Sequence, residues 1–323
     1  MGWFLLQRLG WMLAALLAAS AAIFGILDVL PGNAAQVLMG PEADPEAVAA
    51  LAAELGLDQP ALQRYGQWLW GLLTGDLGDS YAYGSPVADL LQERLAVTVP
   101  LALLAISLST ALAFAAGLYA AAHQQRWDGA AVMGLVQLGM AVPGFWLAIG
   151  LIWLFSIQLP WFSAGGFPGW TAAEGGGLWP ALQALLLPAV ALALVQAAIL
   201  ARTLRSALLE VLHEDFVRTA RAKGLSYRQV LWGHALRNAM IPVLTIMGLQ
   251  FANLLAGAVV IENVFQLPGL GRLLFQAIAN RDLLVVRNGV LLLAALVIGV
   301  NFVVDMLHAL IDPRLTAQRR AIR

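Results

Sequence analysis

Six long apolar runs constrain this chain more than any other feature of its sequence. Each has about 20 residues or more, the length that a helix needs to cross a hydrocarbon core about 30 Å thick. The whole chain is 61% hydrophobic and 11% charged, far from the composition of soluble domains. We therefore predict an all-α polytopic membrane protein with six transmembrane helices. The predicted spans are residues 9–30, 98–122, 130–157, 182–201, 240–260 and 289–310.

The first apolar run can be interpreted as a retained span or as a cleaved signal peptide. Ala19-Ser20-Ala21 resembles a weak cleavage site, but apolar residues continue beyond it from Ile23 to Leu27. This continuation favours a retained first transmembrane helix.

Residues 31–97 form a polar insertion with helix signals of its own. Asp44 can cap a short helix that stops at Gly56, and a second helical pattern covers residues 60–73. We predict a small cap outside the membrane between the first and second transmembrane helices. The first helix and this cap are predicted to form one domain over residues 1–97.

Basic residues are distributed unequally between the two sets of loops. With six spans, 13 of the 18 Lys and Arg residues fall on the side of the termini and 5 fall on the other side. The positive-inside rule identifies the richer side as cytoplasmic. We therefore expect both termini to be cytoplasmic and the predicted cap to be extracytoplasmic.

The polar interval at residues 214–242 predicts two short helices that meet at an angle, and we call residues 214–238 the elbow. Gly224 can end the first helix in a left-handed conformation. Ser226 can start the second helix with a capping box that Gln229 closes. A compact, basic, amphipathic elbow of this kind suggests a docking partner.

Helical spacing assigns apolar residues to one face of each arm of the elbow, with basic residues supplying charge. The predicted face of the first arm contains Phe216, Val217 and Ala220, and that of the second contains Tyr227, Val230, Leu231 and His234. The basic residues are Arg218, Arg221, Lys223, Arg228 and Arg237.

Motifs for catalysis and nucleotide binding are missing from the sequence. A P-loop needs a lysine followed by Ser or Thr, whereas the single lysine, Lys223, is followed by Gly224. The four histidines show no metal-binding spacing, and the chain contains no cysteine. We predict no catalytic residue, no metal site and no cofactor in this chain. If ATP drives its function, the ATPase must be another chain.

A few amide side chains interrupt the apolar spans. They can form hydrogen bonds between helices, or they can line a polar translocation path. The candidate path residues are Gln137, Gln196, Gln250, Asn253 and Asn301.

The elbow sequence RTARAKGL, followed by HALRNAMIP, resembles the cytoplasmic EAA loop of ABC importer permeases. The version is that of the dipeptide, oligopeptide and nickel importers. Arg218, Thr219 and Ala220 occupy the Glu-Ala-Ala positions of the general motif, and Gly224 is its glycine. Arg218 therefore departs from the motif, in which this position is a glutamate. The resemblance implies an ATPase-coupling role for Arg218, Thr219, Ala220, Arg221, Lys223, Gly224, His234 and Arg237.

Further segments extend the resemblance over nearly the whole chain. LGLDQP at residues 55–60, AVPGFWLA at residues 141–148 and IENVFQLPGLGRLLFQAI at residues 261–278 are similar to segments of the "B" permease of these systems. The resemblance implies a MetI-like ABC importer core over residues 98–311, with a cytoplasmic coupling loop at residues 202–239. A cytoplasmic tail would follow at residues 312–323.

The resemblance also implies partners and a location. The chain would pair with a second, related permease, two cytosolic ATPase subunits and an extracytoplasmic substrate-binding protein, and with no nucleic acid. Whether the permease pair is a heterodimer or a homodimer stays open. The complex would lie in a bacterial inner membrane, as a multi-pass protein in its lipid bilayer.

Several functions remain as alternatives. Di- or oligopeptides are the favoured cargo, and nickel, other metal chelates and glutathione compete with them. A secondary carrier or channel would need an ionisable relay near the middle of the bilayer, which the spans lack. A membrane scaffold or sensor that only binds an ATPase would show no substrate flux.

Overall fold

The computed structural model describes residues 2–29, 34–40, 42–54 and 56–311, so the predicted tail at residues 312–323 lies outside the described residues. Regular structure in the described part is helical, apart from one isolated bridge between Asp79 and Pro86. The α-helices are α1 (Gly2–Val29), α2 (Ala34–Met39), α3 (Pro45–Glu54), α4 (Ala61–Thr74), α5 (Val87–Ala122), α6 (Trp127–Ala141), α7 (Gly144–Ile152), α8 (Leu178–Leu212), α9 (Asp215–Ala222), α10 (Tyr227–Val230), α11 (Leu236–Val264), α12 (Leu270–Ala279) and α13 (Leu283–Ile311). Two π-helical turns, Trp153–Gln158 and Leu231–Ala235, extend α7 and join α10 to α11.

Five helices in the described residues are long and apolar enough to cross a membrane, and a bent helix pair raises the number to six if it counts as one span. The helices that follow the first span match the predicted pattern, since α3 and α4 cover the segments predicted from Asp44 and Pro60. Whether these helices form an extracytoplasmic cap stays a prediction.

The third predicted span, residues 130–157, is a bent pair of helices rather than one straight helix. The axis bends by 98° between Trp127–Ala141 and Gly144–Gln158. Pro143 causes the break, because proline disfavours the helical conformation in the residue before it and lacks an N–H of its own. Val142 accordingly has an extended backbone with ψ of 127°.

Two predicted boundaries are wrong. The helix of the fourth predicted span, α8, does not stop near residue 201 but continues to Leu212, into the predicted loop at residues 202–239. The predicted loop at residues 261–288 contains α12, Leu270–Ala279. In α8, the apolar run predicts only part of the helix, and the residues that follow it extend the helix by about three turns. α12 is a separate helix that begins after Gly269 and buries one apolar face.

The chain divides into two compact units. The first contains Met1–Leu5, Val99–Leu267 and Val300–Arg323, and the second contains Leu6–Thr98 and Pro268–Gly299. Each is described here by itself.

Small residues allow close helix packing in the first unit. A Cβ atom at Gly117 of α5 would lie 3.0 Å from the backbone oxygen of Ala201 in α8, closer than most Cβ contacts, so glycine favours this approach of the two helices. A buried cluster continues from this crossing through Leu204 and Leu208 of α8 to Ala239 of α11. The core of the first unit is therefore built around α8.

Aromatic and polar contacts connect α1, α4 and α13 in the second unit. The indole Nε1 of Trp68 donates to Asn288 Oδ1 at 2.8 Å. The Arg287 guanidinium lies 4.6 Å from the centroid of the Trp68 ring, and Arg64 forms an ion pair with Asp28 at 2.7 Å. A buried aromatic residue thus fixes α4 against α13.

Asp282 organises the loop that precedes α13. Its carboxylate is buried and accepts hydrogen bonds from the Ser80 hydroxyl, from the backbone N–H of Ala82 at 3.1 Å and from that of Val285 at 3.2 Å. The last of these caps the first turn of α13. Burial raises the pKa of the nearby Tyr81 phenol, and the negative charge of Asp282 raises this pKa further, against a lowering by Arg287. Tyr81 therefore stays neutral near pH 7.

Replacing Asp282 should test this loop. We expect Asp282→Ala to lower the free energy of unfolding by about 2–4 kcal/mol, because it removes a helix cap and leaves buried donors without an acceptor. Thermal unfolding of the detergent-solubilised protein would measure the loss. Asp58→Ala, which removes an exposed carboxylate of the same unit, is the matched control. Equal melting temperatures for the two variants would contradict this account of Asp282.

Candidate functional site

The first arm of the elbow, α9, ends in a Schellman motif at Gly224. The N–H of Leu225 donates to the carbonyl of Ala220 at 3.3 Å, and the N–H of Gly224 donates to that of Arg221 at 3.0 Å. Gly224 has φ of +86°, the left-handed conformation that the sequence predicts. A Cβ atom there would meet nothing within 4 Å, so backbone strain alone selects glycine.

The second arm begins with the predicted capping box. The backbone N–H of Gln229 donates to Ser226 Oγ at 3.4 Å, and the backbone N–H of Ser226 donates to Gln229 Oε1 at 2.9 Å. Leu225 packs against a small buried cluster formed by Val217, Ala220 and Val230. Packing in this cluster holds the two arms at a fixed angle to each other.

The prediction that the second arm is a short helix is wrong. It continues through the π-helical turn Leu231–Ala235 into α11, so that one apolar helix runs from Tyr227 to Val264 with Pro242 inside it. Leu231 and Ala235 are both buried in the α8 cluster. This burial keeps the helix intact across a segment whose polar residues suggested a loop.

Two aromatic residues that the sequence assigns to the apolar faces of the elbow are exposed. Val217 and Ala220 are buried as predicted, but Phe216 is 41% exposed. Tyr227 is likewise 39% exposed, while Val230 and Leu231 are buried. Adjacent residues on a helix point about 100° apart, so Phe216 cannot share the narrow buried face with Val217. Trp232, which the sequence analysis did not select, is exposed as well.

The predicted coupling residues are brought together on the elbow, nearly all with exposed side chains. Arg218, Thr219, Arg221 and Lys223 are exposed, as are His234 and Arg237 farther along. Ala220 is the exception, since its side chain is buried.

Two local contacts hold the exposed face in place. Arg218 forms an ion pair with Asp215 at 3.3 Å, and the Thr219 hydroxyl donates to the carbonyl of Asp215 at 3.0 Å. Both members of the ion pair are largely exposed, so it contributes little to stability. Arg218 therefore remains available to a partner at little energetic cost.

A cavity of about 250 Å³ lies between α7, α8 and α11. Gln196 and Asn253, two of the predicted path residues, line it. Gln250 lies one turn before Asn253, and its Nε2 donates to the backbone oxygen of Gln196 at 3.2 Å. Three of the five predicted amides therefore meet at one place in the first unit.

The other two predicted path residues lie elsewhere. Gln137 is exposed on α6 and does not line the cavity. The Asn301 side chain is next to Gly248, where α11 and α13 cross: a Cβ atom on that glycine would lie 3.2 Å from Asn301 Oδ1. Position within an apolar run thus does not distinguish the amides that surround the cavity from those that do not.

Metal-binding geometry is missing from the part of the chain that the structure describes. No group of three or more His, Cys, Asp or Glu residues there could hold a metal ion. The described residues instead show an exposed basic and aromatic side of the elbow, and a mostly apolar cavity with two amide side chains among the helices.

Comparison with known proteins identifies the family. The family described as "Binding-protein-dependent transport system inner membrane component" matches residues 113–317, more than half of the chain. The chain belongs to this family. A companion family, which describes the N-terminal part of such membrane components, matches residues 1–102.

Relatives align over almost their full lengths. A Brucella abortus protein, provisionally named a peptide transport system permease, is 44% identical to this chain. The alignment covers 96% of this chain and 98% of the Brucella protein. A di/tripeptide transport system permease of Pseudomonas aeruginosa is 39% identical over 98% of this chain and 99% of its own. A glutathione transport system permease of Escherichia coli is 38% identical over 96% of this chain and 97% of its own.

The family assignment confirms the predicted class of an all-α, multi-pass inner membrane permease of an ABC importer. It makes the chain a transporter subunit rather than a catalytic enzyme, and it implies a substrate-binding protein and ATPase partners. A crystal structure of an amino acid ABC transporter with histidines is 15% identical, covers 68% of this chain and 93% of its own, and gives a TM-score of 0.49. The assignment does not depend on that likeness.

Removing the cap of the second arm should loosen the elbow locally in this permease. Ser226→Ala loses the side-chain acceptor of the capping box, which is worth about 1 kcal/mol. We expect the amides of residues 227–230 to exchange hydrogen about fivefold faster, while those in the middle of α8 stay unchanged. Mass-spectrometric hydrogen exchange on the permease in lipid nanodiscs would measure this.

Ser226→Asp is the matched control, because aspartate caps helices as well as serine does. Exchange that is equally fast in Ser226→Ala and Ser226→Asp would show that the capping box does not hold the second arm.

Proposed function

We propose that this permease imports di- or oligopeptides that a substrate-binding protein delivers, and that two ATPase subunits drive it through the elbow. The peptide assignment is supported by the names of its relatives, which include peptide, di/tripeptide and glutathione permeases. The coupling assignment is supported above all by the two-sided elbow. Its buried side is part of the α8 core, and its exposed side presents basic and aromatic groups.

The exposed side fits an ATPase surface. Phe216, Tyr227 and Trp232 are aromatic residues of the kind that dominate binding energy at protein interfaces. Arg218, Arg221 and Lys223 add exposed positive charge to the first arm. We infer that these coupling residues bind a cleft of the ATPase, with the aromatic residues as anchors and the basic residues setting orientation.

The buried side can transmit movement. Leu231 and Ala235 pack on the same cluster as Leu204 and Leu208 of α8, and the second arm is continuous with α11. Closure of the ATPases would therefore move α8 and α11 together with the elbow. In this alternating-access scheme, the cavity between α7, α8 and α11 becomes accessible first from one side of the membrane and then from the other.

The remaining assembly follows from the same proposal. The elbow and both termini, including the tail at residues 312–323, lie in the cytoplasm, and the cap within residues 1–97 faces the binding protein. A second, related permease completes the pore. Residues 98–311 form the permease core of this chain, with the coupling loop at residues 202–239.

Gly224 provides a test of coupling. Gly224→Val forces a β-branched residue into a left-handed conformation, at a cost of about 1–2 kcal/mol, although the space for its Cβ atom is open. In proteoliposomes that contain the complete transporter and its binding protein, we expect ATP-driven dipeptide uptake to fall several-fold. The amount of permease inserted in the membrane should stay unchanged.

Gly224→Asn is the matched control, because asparagine tolerates the left-handed region better than other non-glycine residues. It should retain more uptake than the valine variant. Glutathione and a nickel chelate, offered in the same assay, test the cargo: wild-type uptake of either one without dipeptide uptake would overturn the peptide assignment. Uptake by the permease alone, driven by an ion gradient, would favour a secondary carrier instead.

Phe216 tests the docking surface. We expect Phe216→Ala to weaken ATPase binding by about 1–2 kcal/mol, or about five- to thirtyfold in Kd, because a central aromatic anchor is lost. Titration of the ATPase onto the permease in nanodiscs would measure this. Leu62→Ala removes a similarly exposed apolar residue of the second unit and should leave the Kd unchanged.

Arg218→Glu separates charge from shape in the same titration. If charge orients the ATPase, this variant should weaken binding more at low salt than at high salt. A loss of affinity that does not depend on salt would show that Arg218 contributes to binding through its shape alone. Equal Kd values for Phe216→Ala and wild type would show that the ATPase binds outside this surface of the elbow.

A further inference from the structure

The cavity between α7, α8 and α11 has a wall made largely of small and apolar residues. Gly144, Ala191 and Gly257 contribute almost no side-chain bulk to it. No lining residue is ionisable, and the polar side chains that line it are the amides of Gln196 and Asn253. The cavity therefore suits an uncharged group that can form hydrogen bonds.

Buried oxygen atoms at this site lack hydrogen-bond donors. Gln196 is 7% exposed, and its Oε1 has no hydrogen-bond partner among the described residues. Gln250 is 2% exposed, and its Oε1 is unpartnered in the same way. Native proteins rarely leave buried acceptors without a donor, because such an atom loses its water and gains nothing in return.

Gln250 of α11 contacts the backbone of Gln196 next to the cavity. Gln250 donates its Nε2 to the backbone oxygen of Gln196, so its own amide group is oriented by α8. This bond ties α11 to α8 at the level of the cavity. Gln196 is then the acceptor that both lines the cavity and lacks a donor from the protein.

We propose that this cavity is a subsite for the peptide backbone, in which the Gln196 side-chain oxygen accepts a hydrogen bond from an amide N–H of the passing substrate. A peptide amide is neutral, donates one N–H and accepts at its oxygen, which matches a cavity that has amide groups and no charge. The proposal rests on the proposed function, since it names the part of a peptide that the permease contacts.

The size of the cavity indicates which part of the substrate enters it. Its volume of about 250 Å³ is below the roughly 300–1,000 Å³ of sites that enclose a whole drug-sized ligand. It therefore receives a segment of the substrate at a time. Contact with the backbone alone lets side chains of different kinds pass, because the amide is the group that all peptides share.

A combination of protein and substrate variants tests this hydrogen bond. Gln196→Leu replaces the amide by an apolar group of similar size, and an N-methylated dipeptide lacks the amide N–H. In proteoliposomes with the complete transporter and saturating binding protein, we expect the wild type to import the unmodified dipeptide about two- to tenfold faster than the N-methylated one. In Gln196→Leu this ratio should approach one. Both peptides should then be imported at about the slower wild-type rate, that of the N-methylated dipeptide.

Comparing the ratio between the two permeases cancels any preference of the binding protein, since that protein is the same in both assays. Thr110→Val is the control, because the Thr110 hydroxyl donates at 2.7 Å to Ile106 in its own helix and should not affect the ratio. Gln196→Leu should melt at the same temperature as wild type or higher, because it removes an unpartnered buried oxygen.

The outcomes distinguish the subsite from the proposed function. An unchanged ratio in Gln196→Leu, with peptide uptake by the wild type, overturns the subsite alone. A Gln196→Leu complex that fails to assemble with the second permease also overturns it, because the amide would then belong to a subunit contact. If the wild-type transporter imports no peptide at all, the proposed function fails first.

Discussion

The close packing of α8 against α5 and α11 is the constraint on which the first unit depends. At the α5 crossing, the backbone of Ala201 approaches Gly117 so closely that an added methyl group would require a shift of a few tenths of an ångström. Small residues replace the hydrophobic effect as the basis of helix association in lipid, because the tails of the lipids are as apolar as the helices. The elbow extends this same packing beyond the apolar segment, through Leu231 and Ala235. A force on the elbow therefore acts on a helix pair that is already in van der Waals contact.

The sequence predicts most of the elbow because its signals are local. Gly224, Ser226 and Gln229 determine backbone geometry within a few residues, and their conformations and hydrogen bonds are confirmed. The boundaries of the longer helices depend on distant contacts instead. No local signal near Leu231 indicates that this residue will be buried against α8. The sequence therefore predicts a short second arm, whereas the helix continues into α11.

The amides predicted to line a translocation path also show the difference between local signals and distant contacts. Five amides satisfy the same sequence criterion, a polar side chain within an apolar run, but only their three-dimensional positions separate Gln196 and Asn253, at the cavity, from Gln137 and Asn301. The positions of these amides depend on how each helix is rotated about its axis. In α11, the π-helical turn at Leu231–Ala235 comes before the residues that reach the cavity. A π-helical turn adds one residue and rotates everything after it relative to a regular helix. Periodicity counted along an ideal helix cannot include that rotation.

Asp282 and the amides near the cavity are two buried polar sites with different hydrogen bonding. In the second unit, Asp282 accepts three hydrogen bonds and thereby fixes a loop in one conformation. In the first unit, Gln196 and Gln250 leave oxygen atoms without donors beside a cavity. A buried carboxylate with all its hydrogen bonds formed stabilises a rigid structure. A neutral amide oxygen without a donor can instead gain a hydrogen bond when a ligand binds. A transport path needs the second arrangement, because a substrate must bind well enough to enter and weakly enough to leave. A neutral amide meets both requirements better than a charged side chain, since hydrogen bonds to charged groups are about twice as strong and would slow release.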